Sequence, residues 1–177
     1  DRGQTPEAIV RLMKVDQATG VWLDEIDISS YADENDSLAE AEAGVILGDF
    51  LYVILQNLDR NDNWKGVEAK ILKISLLDGQ IEAADLSFQN PQSMIASADG
   101  STLYLSCTGG YGMQDGAVIS VNPEDLSVTD TLITEEDVDG DREVLLDRRG
   151  QGGVSRLDSV QGETAEHREP DTRRRRR

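Results

Sequence analysis

The chain has few of the residues that most often carry catalysis or covalent cross-links. Its 177 residues include one histidine, His167, and one cysteine, Cys107. A single cysteine excludes an internal disulfide. Cys107 also ends an apolar strand-like segment that contains no histidine, which favours a small core residue over a nucleophile.

Basic residues and long apolar runs are also scarce. Lys and Arg number 17 against 35 Asp and Glu, for a net charge of −18. This acidity predicts no nucleic-acid binding, because phosphate backbones require Lys and Arg, and it favours cations and basic partners. A solubility coat is the alternative. No stretch approaches the ~20 apolar residues of a membrane span, which predicts no transmembrane segment.

The sequence does contain a hairpin pattern that occurs three times. Its anchor positions are Val15, Ile74 and Val121, which lie 59 and 47 residues apart. Each anchor follows a polar residue and two apolar ones, and precedes a turn and a second apolar strand. Short strands recurring at this period are typical of stacked blades.

Two further strands separate the repeated hairpins, so one unit is a four-stranded antiparallel meander, the anatomy of a propeller blade. The predicted strands are 9–15, 21–28, 43–47, 50–56, 69–75, 80–87, 93–97, 102–107, 117–122 and 127–133. The predicted fold class is all-β, a partial β-propeller of about two and a half blades. Its units are the outer hairpin of an incomplete blade (1–28), a blade (29–88), a blade (89–137) and a tail (138–177).

One of these units resembles a known repeat. Ala98 to Cys107 carries an Asp-Gly turn before a Leu-Tyr-Leu strand, followed by the Ala117 to Asn122 strand and a turn; Asp16 and Thr19-Gly20 match the end of the pattern. It is similar to the repeat of YVTN-type, YncE-like bacterial β-propellers. The resemblance covers roughly residues 8–135 and implies the propeller fold and an extracytoplasmic location, whether periplasmic, cell-surface or secreted. It implies no activity, since propellers host many functions.

The C-terminal segment changes in character. Residues 142–177 contain ten Arg and no Lys, and they end in five consecutive arginines. Without strand periodicity, this composition predicts a disordered or out-of-frame tail; a nucleic-acid or membrane patch is the alternative. The start at Asp1 favours a fragment, whose ring would be closed by remaining blades of the same chain or by self-association.

Loop lengths predict which end of the blades binds a partner. Tight turns fall at one end of the meanders, and the long loops 29–42, 57–68 and 108–116 fall at the other. Long loops tend to carry recognition. The candidate residues for binding a protein or small-molecule ligand on this face are Asp33, Asp36, Trp64, Tyr111 and Asp115.

One loop also has the composition of a cation site. Asp59, Asn61 and Asn63 place side-chain oxygens at alternating positions, as a calcium-binding loop does. Trp64 and Lys70 stand where an EF-hand has Gly and Glu, so the loop is not an EF-hand. A Ca²⁺ site of another kind is the hypothesis, and an Asx-rich turn that caps its own backbone is the alternative.

The function predicted from the sequence is binding or scaffolding through the long-loop face of an exported propeller protein. The alternative is part of a propeller enzyme, a lactonase-like hydrolase or an oxidoreductase. Such an enzyme needs convergent His, Glu or Arg side chains from several blades. Neither predicted blade contains a histidine, so the sequence favours binding over catalysis.

Overall fold

Short antiparallel strands make up the fold. The computed structural model describes residues 10–137, 142–146 and 152–156, and this part of the chain contains strands, turns and three short 3-10 segments. Among these residues, no helix has the length and apolar character needed to cross a membrane.

All ten predicted strands are present, with bounds within two residues of those predicted. The strands are β1 (Arg11–Val15), β2 (Trp22–Asp27), β3 (Ala41–Leu47), β4 (Phe50–Leu55), β5 (Leu58–Asp59), β6 (Lys65–Gly66), β7 (Lys70–Ser75), β8 (Ile81–Asp85), β9 (Pro91–Ala96), β10 (Leu103–Cys107), β11 (Ala117–Val121), β12 (Val128–Thr134), β13 (Arg142–Leu146) and β14 (Gly152–Arg156).

Two of the sheets are complete blades. The first has strand order β3-β4-β7-β8 and the second β9-β10-β11-β12, all antiparallel, whereas β1 and β2 form a sheet of two strands. The three anchor residues take the same place, because Val15, Ile74 and Val121 each pair with the residue seven positions later. The fold is therefore all-β and matches a partial propeller.

Apolar residues on both faces of the first blade explain how the sheets stack. In β4, Tyr52 and Ile54 join a core shared with Leu103 and Leu105 of the second blade. Val53 and Leu55 point to the other face and join a core with Leu12 and Ile26 of β1 and β2. A strand buried on both sides is continuously apolar, which accounts for the sequence of β4.

Ten residues of the predicted C-terminal tail form two short strands. Strands β13 and β14 pair with each other, and β13 lies beside β10 of the second blade. Within a tail predicted to be irregular from residue 138 onward, these residues have no alternation of apolar and polar positions from which a hairpin could be predicted. The rest of the predicted tail, including His167 and Arg173 to Arg177, lies outside the described residues, as do residues 1–9.

Candidate binding site on the long-loop face

Three long connections meet at one end of the blades. They are residues 28–40 between β2 and β3, residues 56–69 between β4 and β7, and residues 108–116 between β10 and β11; we call this surface the long-loop face. The opposite end carries tight turns, such as the one at Gly48 and Asp49. The long-loop face holds eight acidic and two basic residues, so it attracts cations.

A buried carboxylate fastens the first two loops together. Glu40 Oε1 accepts hydrogen bonds from Arg60 Nε at 3.0 Å and from Arg60 Nη2 at 2.8 Å. Glu40 Oε2 accepts a third from the Leu58 backbone N–H at 2.8 Å. The Glu40 side chain is only 9% exposed. Because charge-assisted hydrogen bonds are stronger when shielded from water, this contact fixes the loops relative to each other.

Further hydrogen bonds connect the first two loops, and Gln89 lies between the second and third. Asn61 Nδ2 donates to the carbonyl of Asn35 at 2.9 Å, and the buried Asn57 amide donates to the carbonyl of Tyr31 at 3.3 Å. The Gln89 side chain lies against Gly66 of the second loop and near Gly110 of the third. The long-loop face is thus one continuous surface.

Three predicted aspartates come together on this face. Asp33, Asp36 and Asp59 each present a carboxylate oxygen within 4.8 Å of the other two. Asp36 Oδ2 accepts from the Arg60 backbone N–H at 3.0 Å, and Asp59 Oδ1 accepts from the N–H groups of Asn61 and Asp62. Asp33 Oδ2 is enclosed and has no hydrogen-bond donor.

In the predicted cation loop, the side chains of Asp59, Asn61 and Asn63 have separate roles in the structure. Asp59 caps the short 3-10 turn Arg60–Asp62, and Asn63 ends that turn in the left-handed conformation. The Asn61 amide is engaged with the neighbouring loop. The local Asx-turn therefore forms, while Asp59 also faces Asp33 and Asp36 from another loop, an arrangement that spacing within residues 59–63 does not reveal.

Trp64 is an exposed side chain of the second loop. Its side chain is 54% exposed, and the Arg60 guanidinium lies 4.7 Å from the centre of its ring. The indole is therefore held by a cation–π contact on one side and open to solvent elsewhere. This exposure shows that the Trp64 ring is not buried as an anchor of its own loop.

Backbone strain is concentrated in the same two loops. Among the described residues, seven that are not glycine have a positive φ, and five of these lie in the first two loops: Ser37, Glu40, Asn57, Asn63 and Trp64. Such conformations cost about 1 to 3 kcal/mol each and persist where the surroundings impose them, commonly at binding sites. Glu40 and Trp64 are thus held in position by the loops around them.

A cleft of about 720 Å³ begins beside these loops. At the loop end it is lined by Glu40, Gln56, Arg60 and Trp64. It then continues between β1 and the strands β3 and β4. Its size is that of a site for a peptide segment or a small molecule.

The remaining predicted site residues lie on the loop of the second blade. Tyr111 is fully exposed at the tip of residues 108–116. Asp115 Oδ1 instead accepts a hydrogen bond from the Gly110 N–H at 2.8 Å, so its carboxylate shapes the loop. Cys107 is buried in the core, and burial raises the pKa of its thiol to about 12, which confirms it as a core residue.

Sequence reasoning missed Glu40 and Arg60, the pair that organises the site. They are 20 residues apart, on loops without periodicity, and the only available signal was an Arg directly after Asp59 in a loop with more acidic than basic residues. No protein-family model matches this chain, and no curated protein matches it either.

Proposed function

We propose that this chain is part of an exported β-propeller protein that binds a positively charged protein segment or small molecule through its long-loop face. The observation that supports this most is Trp64, a largely exposed indole held in a strained backbone on tied loops. Exposed aromatic residues on a preorganised surface are typical of recognition sites. The extracytoplasmic location rests on the resemblance to YncE-like repeats.

The charge of the ligand follows from the surroundings of Trp64. The long-loop face has a fourfold excess of acidic residues, and its two basic ones are Arg60 and Lys65. Arg60 is already paired with Glu40, and Lys65 Nζ lies 3.8 Å from an Asp62 oxygen. A cationic ligand therefore meets uncompensated negative charge beside an aromatic ring.

A fluorescence titration tests this proposal. In a Trp22→Phe variant of the chain, Trp64 is the sole tryptophan, and a short lysine-rich peptide is expected to change its emission with an affinity that falls as salt rises. A glutamate-rich peptide of equal length is the control. An unchanged emission with the lysine-rich peptide, or an equal response to both peptides, would contradict the proposal.

A second proposal concerns a bound cation. We propose that Asp33, Asp36 and Asp59 hold Ca²⁺, because a hard cation takes several carboxylate oxygens at once. The enclosed oxygen of Asp33, which has no donor, is the observation that favours a cation over a merely solvated cluster. The ion would connect the first and second loops, which the hydrogen bond from the Arg60 backbone N–H to Asp36 also connects.

Thermal unfolding with and without calcium checks this second proposal. Ca²⁺ is expected to raise the Tm as RT ln(1 + [L]/Kd) predicts, and Asp33→Asn is expected to abolish the rise. Glu34→Gln, which removes an exposed charge next to the site, is the control and should keep it. Calorimetry that detects no heat at millimolar calcium would contradict the cation site, and the loop would then be only an Asx-turn that caps its own backbone.

A further inference from the structure

Arg173 to Arg177 are the densest positive charge in the sequence. They are five consecutive arginines, whereas no other run of Lys or Arg in the chain is longer than two residues. The residues that precede them, 157–172, contain five acidic residues and one arginine, so the positive charge is confined to the cluster. The chain thus carries a cationic segment of the kind that the proposed function assigns to the long-loop face as its ligand.

After the second blade, the chain returns to the long-loop face. Thr134, the last residue of β12, pairs with Ala117, which directly follows the third loop. The Glu135 N–H donates to the Gly116 carbonyl at 2.9 Å, and the Gly116 N–H donates to Glu135 Oε2 at 3.2 Å. The short segment Glu135–Asp137 therefore lies at the edge of the long-loop face.

The hairpin of β13 and β14 keeps the chain close to that edge. Arg142 begins β13 five residues after Asp137, which allows a separation of at most about 18 Å. Arg156, the last residue of β14, pairs with Arg142, so their Cα atoms lie about 5 Å apart. Sixteen residues then precede Arg173, and fully extended they span about 55 Å, well above the ~20 Å length of a blade strand. The arginine cluster can therefore reach Trp64 of its own chain.

The contact between Arg60 and Trp64 shows how an arginine fits this site. The Arg60 guanidinium lies 4.7 Å from the ring centre, while its N–H groups donate to Glu40. A guanidinium can stack on an aromatic ring and pair with carboxylates in its own plane, which a lysine ammonium cannot do. Trp64 is 54% exposed, so surface remains for a second arginine. The exposed carboxylates of Glu34 and Asp62, on the same two loops, supply counter-charge for further arginines.

Resting on the proposed function, we propose that Arg173 to Arg177 occupy the Trp64 site of their own chain, and that other cationic ligands must displace them. Five positive charges meet a face with eight acidic and two basic residues. A connection of 16 residues gives the cluster an effective concentration on the order of 1 mM at a site on the same chain. With a Kd of about 0.1 mM for the cluster, the apparent affinity of an external ligand falls about tenfold.

Fluorescence of Trp64 in two chains tests this occupancy. Both chains carry Trp22→Phe, and one also carries the five substitutions from Arg173→Ser to Arg177→Ser, none of which changes a described residue. Without added peptide, the emission of the two chains should differ at low salt and converge as salt rises. The lysine-rich peptide should bind about tenfold more tightly to the chain without the arginine cluster.

The control and the contrary outcomes separate this occupancy from the proposed function. Arg148→Ser with Arg149→Ser removes arginines outside the cluster and should leave emission and peptide affinity unchanged. Equal emission and equal affinity with and without the cluster would overturn the occupancy and leave the proposed function standing. A peptide that binds neither chain would contradict the proposed function, and the occupancy with it. An emission difference that grows with protein concentration, together with a dimer in light scattering, would assign the cluster to the site of another copy and overturn occupancy within one chain.

Discussion

At the scale of single residues, positive φ angles distinguish the two ends of the blades. At the turn end they fall mostly on glycines such as Gly48, Gly79 and Gly100, with Leu126 as an exception. In the first two long loops they fall on residues with side chains, including Glu40 and Trp64, whereas the third long loop has Gly109 and Gly112. Glycine adopts this conformation without cost, whereas other residues need support from their surroundings. The tight turns therefore contain little backbone strain, whereas the first two long loops contain more.

Gly100 is the most sensitive of the turn glycines. Gly100 and Gly79 share a φ of +73°, but a Cβ at Gly100 would lie 2.8 Å from Leu47 Cδ1, whereas nothing lies within 4 Å at Gly79. Both Gly→Val substitutions should lower the free energy of unfolding by about 1 to 3 kcal/mol, with the larger loss at Gly100. Urea denaturation measures both; equal losses would show that the Leu47 contact has no effect.

Asp99 makes the stability of its turn depend on pH. The Ser97 hydroxyl, followed by the N–H and hydroxyl of Ser101, donates to Asp99 and holds its pKa at about 2. An unfolded aspartate has a pKa of ~3.9, so the stabilisation is full above that value and is lost as pH falls through about 2. The difference in unfolding free energy between wild type and Asp99→Asn should therefore shrink on acidification. A difference that stays constant with pH would contradict this.

At the scale of elements, the strands could be predicted and the structure within the loops could not. Strands such as β4 and β10 leave a periodic apolar pattern, and repetition of the anchors Val15, Ile74 and Val121 fixed their boundaries. The contact of Glu40 with Arg60 depends on how two aperiodic loops fold against each other. Sequence placed Asp33, Asp36 and Asp59 on one face but did not show their convergence. The pairing of β13 with β14 could not be predicted, because the sequences of these two strands do not alternate apolar and polar residues.

The loop contact should appear as an energetic coupling. In a double-mutant cycle, Glu40→Ala and Arg60→Ala should couple by about 1 to 3 kcal/mol, because the carboxylate is shielded and hydrogen-bonded. The control pair, Asp62 and Lys65, is exposed on both sides and should couple by less than about 0.5 kcal/mol. Coupling at Glu40 no stronger than in the control pair would mean that the loops are held by other contacts.

At the scale of the whole molecule, the apolar core and the proposed recognition surface lie in different places. The core between the two blades includes Leu103, Leu105 and Ile119, all fully buried. The proposed recognition surface lies at one end of the blades and contributes Trp64, which is 54% exposed. A residue can therefore be removed from the surface without opening the core. In the proposed function, the long loops are therefore a binding face that the blades support without taking part in binding.

One paired measurement tests that claim most directly: urea unfolding together with binding of the lysine-rich peptide, for Trp64→Ala, Trp22→Ala and Leu103→Ala. Trp22, 60% exposed on β2, is the matched control. Trp64→Ala should change stability by less than about 1 kcal/mol and abolish binding. Trp22→Ala should change neither greatly, and Leu103→Ala should cost about 2 to 5 kcal/mol. If Trp64→Ala destabilised the fold as much as Leu103→Ala, or bound the peptide as wild type does, the long loops would not be a separate binding face.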